Sequence, residues 1–172
     1  MSEYFLFYDT ATGALEGRGM GPDGSADLQT PPAGCALLVV PQAIWETNPF
    51  DLAALAKHLR AQVDGEAEAF RTQFITPGSG QAMSYLRKEL EAAAYLADNT
   101  ASVPFLTAEA AATGVTVAAL AAAVAAQAAA WLVVGPVIEG ARIGAKKAIA
   151  EAGNIAAMHA AAQVNWAALV EG

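Results

Sequence analysis

The feature that most constrains this sequence is residues 116–152, a long stretch rich in alanine and poor in charge. No Asp, Glu, Lys or Arg occurs from Ala110 to Ile138. Alanine has the highest intrinsic helix propensity because it loses no side-chain freedom in a helix. Thr116 is a suitable N-cap for such a helix. The stretch therefore predicts one helix over residues 117–152, about 54 Å long at about 1.5 Å per residue.

Gly135-Pro136 lies inside this predicted helix. We expect a kink or a break there, because proline lacks an N–H and its ring clashes with the preceding turn. The larger apolar side chains recur mostly three, four or seven positions apart, as one packing stripe requires. They are Val117, Leu120, Val124, Trp131, Val134, Ile138, Ile143 and Ile149. The helix is therefore expected to pack closely against its neighbours.

The composition indicates a folded chain whose core is poor in bulky side chains. Of 172 residues, 55% are hydrophobic and 15% are charged, which excludes disorder for most of the chain. About a quarter of the residues are alanine, and each methyl group buries little apolar area. We therefore expect part of the apolar surface to be buried against another copy or another protein.

Charge and cysteine content exclude several classes of partner. The net charge is −8 and there is no cluster of Lys and Arg, so we expect no binding to nucleic acid or anionic lipid. Cys35 is the single cysteine, which leaves no intrachain disulfide and no thiolate metal site.

The first nine residues have no basic region and only a short apolar run, so no signal peptide is expected.

The uncharged run 110–138 is long enough to span a bilayer, which takes about 20 residues. Its Leu, Ile and Phe content is low, and Gln127 and Pro136 interrupt it. Its flanks carry Glu109 and Glu139 rather than a basic cluster. A packing helix in a soluble protein is therefore favoured over a membrane span.

The first 47 residues predict a small β-rich domain. The three strands are predicted at residues 4–8, 14–20 and 35–40. Asp9 and Gly13 supply the turn of a hairpin between the first two strands, and Pro41 ends the third. Such a sheet is not stable alone unless one face is covered. Trp45 and Phe50 are expected to provide that cover.

Residues 48–172 predict a mainly antiparallel helical domain, so the expected fold class is α+β. Asn48-Pro49 is expected to open a helix that continues to about Phe74. Further helices are predicted at 81–97, 105–112 and 155–170, separated by turns at 76–80, Gly114 and Gly153-Asn154. Arg60 is expected to pair with Asp64, and Arg87 with Glu91, each pair on a solvated face. The buried face of the helix 81–97 is predicted to contain Met83, Leu86, Leu90, Ala93 or Ala94, and Ala97.

No pattern in the sequence indicates catalysis, a cofactor or a metal. His58 and His159 stand alone, without a second ligand at metal spacing. Ser79 lacks the Gly-x-Ser-x-Gly pattern of a strained nucleophile turn, and loop flexibility explains it better. Gly140 and Gly144 form a Gly-x-x-x-Gly pattern, which lets two helices pack closely. This pattern suits a soluble helical bundle as well as a membrane protein. We therefore expect a protein that is not an enzyme.

Two parts of the sequence resemble small tail proteins of tailed bacteriophages. The opening YFLFYDTATGALEGRG, with the later LQTPPAGCALLVVP, resembles the Y-D-x-x-T-G hairpin and the following strand at the start of those proteins. FITPGSGQAMSYLRKELEAAAYLAD and IEGARIGAKKAIAEA resemble their Ala-rich helical C-terminal domain. The resemblance covers nearly the whole chain and implies a role in the virion or its assembly, with no catalytic residues to carry over. This chain departs from the pattern at Gly135-Pro136, where the resemblance implies a smoother helix.

The expectation is a structural component of a tail tip or tail-fibre complex that packs against fibre or baseplate proteins. It would be a homo-oligomer, with a trimer as one option, located in the virion tail and in the host cytoplasm during assembly. The alternatives are a tail-fibre assembly chaperone absent from the mature virion and, less favoured, a membrane-active lysis protein. The residues expected to contact partners are Tyr4, Phe5, Tyr8, Trp45, Trp131, Gly140 and Gly144.

Overall fold

A computed structural model of the chain describes residues 2–75 and 79–170. It confirms the α+β class, with a three-stranded antiparallel sheet followed by a mainly helical region that contains one long helix. The strands are β1 (Ser2–Asp9), β2 (Leu15–Pro22) and β3 (Cys35–Val40), in the order β2-β1-β3. The helices are α1 (Gln42–Trp45), α2 (Leu52–Arg71), α3 (Ser79–Ala97), α4 (Pro104–Thr113), α5 (Val117–Glu151) and α6 (Ile155–Ala162). Short 3₁₀ helices lie at Ala26–Leu28 and Ala167–Leu169.

The chain divides into two compact units. The first contains the described residues up to 67 together with 140–168, and the second is built mainly from 68–139. The predicted boundary after residue 47 does not coincide with this division. α6 and residues 52–67 of α2 belong to the same unit as the strands.

The hairpin turn of the first unit is the one that the sequence predicts. The Asp9 carboxylate accepts hydrogen bonds from the backbone N–H groups of Ala11, at 3.0 Å, and Thr12, at 2.7 Å. Gly13 follows with φ +71°, in the left-handed region that favours glycine. The turn therefore joins β1 to β2 by side-chain capping and a positive φ, as the pattern indicates.

The glycines of β2 are explained by the aromatic side chains of β1. Phe5 pairs with Gly19, and Phe7 with Gly17, in the antiparallel register. A methyl group on Gly19 would overlap the Phe5 ring, which is 3% exposed. The two phenylalanine rings pack edge to face, with centroids 5.5 Å apart. The strand thus uses glycine to leave room for rings on the face of the sheet opposite Leu6.

The core of the first unit lies between the other face of the sheet and the helices α2, α5 and α6. Its fully buried large side chains are Leu6, Leu55, Leu59, Val63, Ile149 and, at 2% exposure, Ile155. Trp45 and Phe50 pack against this core. The sheet is therefore covered by Trp45 and Phe50 as expected, and also by Ile44 of α1 and by side chains of α2 and α6.

Two predicted helix ends are wrong. Asn48-Pro49, a cis peptide, does not begin α2, which starts at Leu52. Asp51 caps α2 instead, since its carboxylate accepts a hydrogen bond from Ala54 N–H at 3.0 Å. The last helix ends at Ala162 rather than near residue 170, and its Asn154 N-cap is as predicted, accepting from Ala157 N–H at 2.8 Å.

The second unit has a smaller core made of α3, α4 and α5. Its buried residues are Ala92, Val103, Leu106 and Ala121, with Tyr95, Val117, Leu120 and Val124 packed against them. Gly114, at φ +75°, ends α4 in the left-handed conformation, as its position predicts. Residues 76–78 of the predicted turn lie outside the described residues, and α3 begins at Ser79.

The helix α5 is continuous from Val117 to Glu151 with Pro136 inside it, so the proline does not break it. The Thr116 hydroxyl accepts a hydrogen bond from Ala119 N–H at 3.2 Å, which confirms the predicted cap. Gly135 lies under the indole of Trp131, one turn earlier. A Cβ at 135 would be 2.8 Å from Trp131 Cε2, so glycine at this position lets the indole lie along the helix.

Candidate interaction surface

The apolar face of α3 points to solvent, so the predicted buried face of this helix is wrong. Met83 is 76% exposed, Leu86 60% and Leu90 57%. Ala93, Ala94 and Ala97 are exposed as well. The opposite side of α3, which carries Ala92 and Tyr95, packs against the core of the second unit. We call the exposed stripe of Met83, Leu86, Leu90, Ala93 and Ala97 the α3 seam.

A buried carboxylate helps to fix α3 in this orientation. Glu91 is 4% exposed, and its Oε2 accepts a hydrogen bond from Leu106 N–H at 3.1 Å. Leu106 is in the first turn of α4, where Val103, the N-cap, provides no side-chain hydrogen bond. Glu91 therefore caps α4 from a neighbouring helix. The predicted pair with Arg87 does form, with Nε 3.4 Å from Oε1, but its acidic member is buried rather than solvated.

A second polar contact on the same side joins α3 to α4. Lys88 Nζ lies 2.8 Å from Glu109 Oε2 and 4.8 Å from the centre of the Tyr85 ring. Lys88 is 15% exposed, so its aliphatic stem is buried while its ammonium group is paired. Lys88, Glu91 and Ala92 thus face the unit's interior, while Met83, Leu86 and Leu90 point outwards.

Phe105 extends the α3 seam into a groove. Its side chain is 45% exposed and stands beside Met83, Leu86 and Leu90. The groove has a volume of about 530 Å³, and Gly80, Ser84 and Arg87 complete its lining. Four large apolar side chains on one rigid pair of helices form a contiguous apolar patch, a feature that marks interaction sites in soluble proteins.

The aromatic residues predicted to contact partners from the first unit are mostly part of its own fold. Phe5 is 3% exposed and Tyr8 is 5% exposed, and the Tyr8 hydroxyl shares a hydrogen bond of 2.8 Å with His159 Nδ1. Tyr4 packs on Trp45 with ring centroids 5.3 Å apart, and both are half-buried.

Arg18 organises the segment after α1 in the first unit. Its guanidinium donates hydrogen bonds to the carbonyl oxygens of Trp45 and, at 2.6 Å, Thr47. The same guanidinium lies 5.8 Å from the centre of the Phe50 ring. These contacts hold the segment that covers one end of the sheet, which gives Trp45 a structural role in the chain itself.

The remaining predicted contact residues lie on α5. Trp131 is half-buried and lines a cavity of about 240 Å³ in the second unit, together with Tyr85, Leu120 and Val124. Gly140 and Gly144 are exposed, and a Cβ built on either would meet nothing within 4 Å. These two glycines therefore mediate no helix contact within residues 2–75 and 79–170.

The ionisable groups of the first unit are arranged as structural contacts. Asp64 pairs with Arg142 and Lys146, and among the described residues it makes no ion pair with Arg60, so that predicted pair is wrong. Hydrogen bonds from Lys146 and then Arg142 hold the pKa of Asp64 below its usual range. Burial lowers the pKa of His58 and that of His159. Over residues 2–75 and 79–170, no three His, Cys, Asp or Glu side chains are grouped so that they could hold a metal ion.

The surface of α5 is also apolar over much of its length. Leu132 is 65% exposed, Val133 72% and Val137 42%. By length and composition alone, α5 is long and apolar enough to cross a membrane. Its first turns are nevertheless packed in the second unit, where Ala121 is completely buried.

Periodicity detected the α3 seam, but it could not show which side of the helix faces the core. A second set of residues, Tyr85, Lys88, Ala92 and Tyr95, also recurs at spacings of three and four. A helix with two such faces indicates that one of them is available to a partner.

Comparisons with known protein families, with curated proteins and with solved structures find no match for this chain.

Proposed function

We propose that this protein is a structural component of a bacteriophage tail tip or tail-fibre complex, and that it acts by packing against other tail proteins. The sequence resemblance described above supports the phage assignment. The observation that carries the packing role is the α3 seam with Phe105, a patch of large apolar side chains that are 45% to 76% exposed. Removing such a patch from water stabilises an assembly by about 25 cal/mol per Å² of apolar area.

The arrangement of the second unit suits a rigid docking element. The α3 seam lies on a helix whose inner side is fixed by Glu91 and by the pair of Lys88 with Glu109. Because these contacts hold α3 from behind, little ordering is needed when a partner covers its outer side. Preorganised surfaces bind with a smaller entropic cost than flexible ones.

The experiment that tests this proposal is mass spectrometry of gradient-purified particles from the phage or prophage that encodes the protein, beside the matching cleared lysate. A tail component is expected to co-purify with the particles and to remain after washing in high salt, since apolar contacts are not screened by ions. Absence from the particles together with abundance in the lysate would overturn the proposal and favour a fibre-assembly chaperone.

A membrane-active role is a second candidate, and the exposed apolar surface of α5 is the observation that favours it. Val124 is the last α5 residue in the core cluster of the second unit. The uncharged remainder is 125–138, whose last residue, Ile138, is itself fully buried. These residues extend about 21 Å at about 1.5 Å per residue, less than the hydrocarbon thickness of about 30 Å. Insertion of a full span would therefore require the core of the second unit to open.

Flotation with vesicles separates the two roles. A packing protein is expected to stay at the bottom of a density gradient when mixed with neutral or anionic phospholipid vesicles. Co-flotation together with release of an entrapped dye would contradict the packing role and favour the membrane-active one.

A further inference from the structure

The α3 seam has the spacing of a coiled-coil contact. Met83, Leu86, Leu90, Ala93 and Ala97 follow one another at intervals of three, four, three and four. This alternation places the residues at successive a and d positions of a heptad repeat, the positions through which two helices pack side by side. No seam residue is charged or polar. The surface is therefore suited to another helix rather than to an extended peptide.

The exposed area is appropriate for an interface of ordinary size. A fully exposed large apolar side chain has an area of about 150–200 Å². With exposed fractions of 45% to 76%, the four large side chains leave roughly 400 Å² of apolar area open to solvent, from Met83, Leu86, Leu90 and Phe105. A stable interface buries about 800 Å² per partner, and about 65% of a homodimer interface is apolar. The patch thus provides most of the apolar area that a pair of identical chains needs.

The charges beside the seam favour a parallel pair of identical helices. In a parallel arrangement each seam residue faces its own copy, Arg87 lies beside Ala82 of the other helix, and Glu89 lies beside Ala94. An antiparallel arrangement centred on the seam would place Arg87 next to a second Arg87 and Glu89 next to a second Glu89. Such like-charge contacts are destabilising.

We propose that this chain self-associates through the α3 seam, with α3 packed in parallel against α3 of a second copy. The inference rests on the proposed packing function, since it names the partner of that same surface. A ring of two or three copies about an axis parallel to α3 would satisfy the same contacts. Arg87 and Phe105 would then border the contact.

The first test is the molar mass of the full-length protein by sedimentation velocity over a range of concentrations. Wild type is expected to sediment as a dimer or a trimer, at two or three times 17.5 kDa. Leu90→Glu places facing carboxylates in the contact and is expected to raise the dissociation constant about 100-fold or more. Leu132→Glu, which changes a 65% exposed leucine on α5, is the matched control and should leave the mass unchanged.

The result that overturns the proposal is a wild-type monomer at about 100 μM, or an oligomer that Leu90→Glu leaves intact. Dissociation by Leu132→Glu alone would also overturn it, since α5 would then be the contact. Leu90 is 57% exposed in the chain, so the variant is expected to keep the far-ultraviolet circular dichroism of wild type.

A disulfide test addresses the parallel arrangement directly and does not depend on a destabilised variant. In a Cys35→Ser background, Leu86→Cys is expected to form a covalent dimer on mild oxidation, because facing d positions approach within disulfide range. Leu132→Cys should remain monomeric on a denaturing gel. A dimer that forms only when Leu86→Cys is mixed with Leu90→Cys would overturn the parallel arrangement.

These tests fail separately from the particle test. Self-association of purified protein with absence from particles would refute the virion assignment alone. Presence in particles together with a monomeric purified chain would refute the α3 contact alone.

Discussion

Gly13→Ala is predicted to destabilise the first unit more than its backbone conformation alone explains. Gly13 has φ +71° in the turn between β1 and β2. A Cβ on this residue would lie 2.6 Å from Cβ of Asn154, the N-cap of α6. The added methyl group must therefore displace the side chain whose oxygen accepts the hydrogen bond from Ala157 N–H.

The expected magnitude has two parts. An alanine in the left-handed region costs about 1 kcal/mol relative to glycine. Loss of the Asn154 cap adds about 1 kcal/mol, within a usual range of about 0.5–2. Gly13→Ala should therefore lower the free energy of unfolding by about 2 kcal/mol, within a range of about 1.5–3.

Gly34→Ala is the matched control in the same unit. Gly34 has φ +78°, and a Cβ there would meet nothing within 4 Å, so only the conformational part of the cost applies. The assay is urea unfolding in a Trp131→Phe background, in which Trp45 and Trp166 report on the first unit. The two variants differ by the cap part of about 1 kcal/mol, so with m of about 1–3 kcal/mol/M their midpoints should differ by about 0.3–1 M.

The pair of variants can refute the reasoning. Equal losses of stability in Gly13→Ala and Gly34→Ala would show that the contact with Asn154 contributes nothing. A further variant, Asn154→Gly, removes the obstructing side chain at a cost of only a few tenths of a kcal/mol, about 0.3. In that background Gly13→Ala should cost only about 1 kcal/mol, as the control does.

Two further predictions concern the buried polar groups. Glu91→Ala should lower the free energy of unfolding of the second unit by about 1–3 kcal/mol, because the first turn of α4 loses its cap. Glu91→Gln keeps a hydrogen-bond acceptor and should lose less stability, and Trp131 fluorescence during unfolding measures both variants. Burial lowers the pKa of both His58 and His159, so the unfolded chain binds more protons near pH 6 than the folded chain. The free energy of unfolding should therefore be highest above about pH 6.5 and should fall as the pH drops below that value. Replacing both histidines by asparagine should make it depend less on pH, which urea unfolding at several pH values measures.

Local signals in the sequence were sufficient for much of the fold. Asp9 and Gly13 specified the hairpin turn, Gly114 ended α4, and Asn154 capped α6 because each acts through its own backbone or through that of nearby residues. Thr116 likewise marked the start of α5. Features that depend on hydrogen bonds over two or three residues are readable from one sequence.

The orientation of α3 was not readable in the same way. Spacing identified the stripe of Met83, Leu86 and Leu90, and the usual assumption that such a stripe faces the core was wrong. The deciding contact joins Glu91 to the backbone of Leu106, 15 positions later in the chain. A contact between helices cannot be inferred from the period of either one.

The start of α2 shows a second limit. Asn48-Pro49 has the composition of a helix start, yet Asp51 is the residue that caps the helix. The backbone just before Asn48 is held by Arg18 of β2, which donates to the carbonyl oxygen of Thr47. A side chain from a distant strand thus acts on the segment before α2, and the helix begins three residues later than local chemistry would place it.

The most direct measurement of the central claim is the copy number of this protein in purified particles of the encoding phage. The tryptic peptide of residues 61–71, AQVDGEAEAFR, provides a standard for absolute quantification against the major capsid protein. A structural tail component is predicted to be present at a fixed multiple of two, three or six copies per particle in wild type, and Leu90→Glu should reduce that number. Particles that lack the protein, while the lysate contains it, would contradict the account.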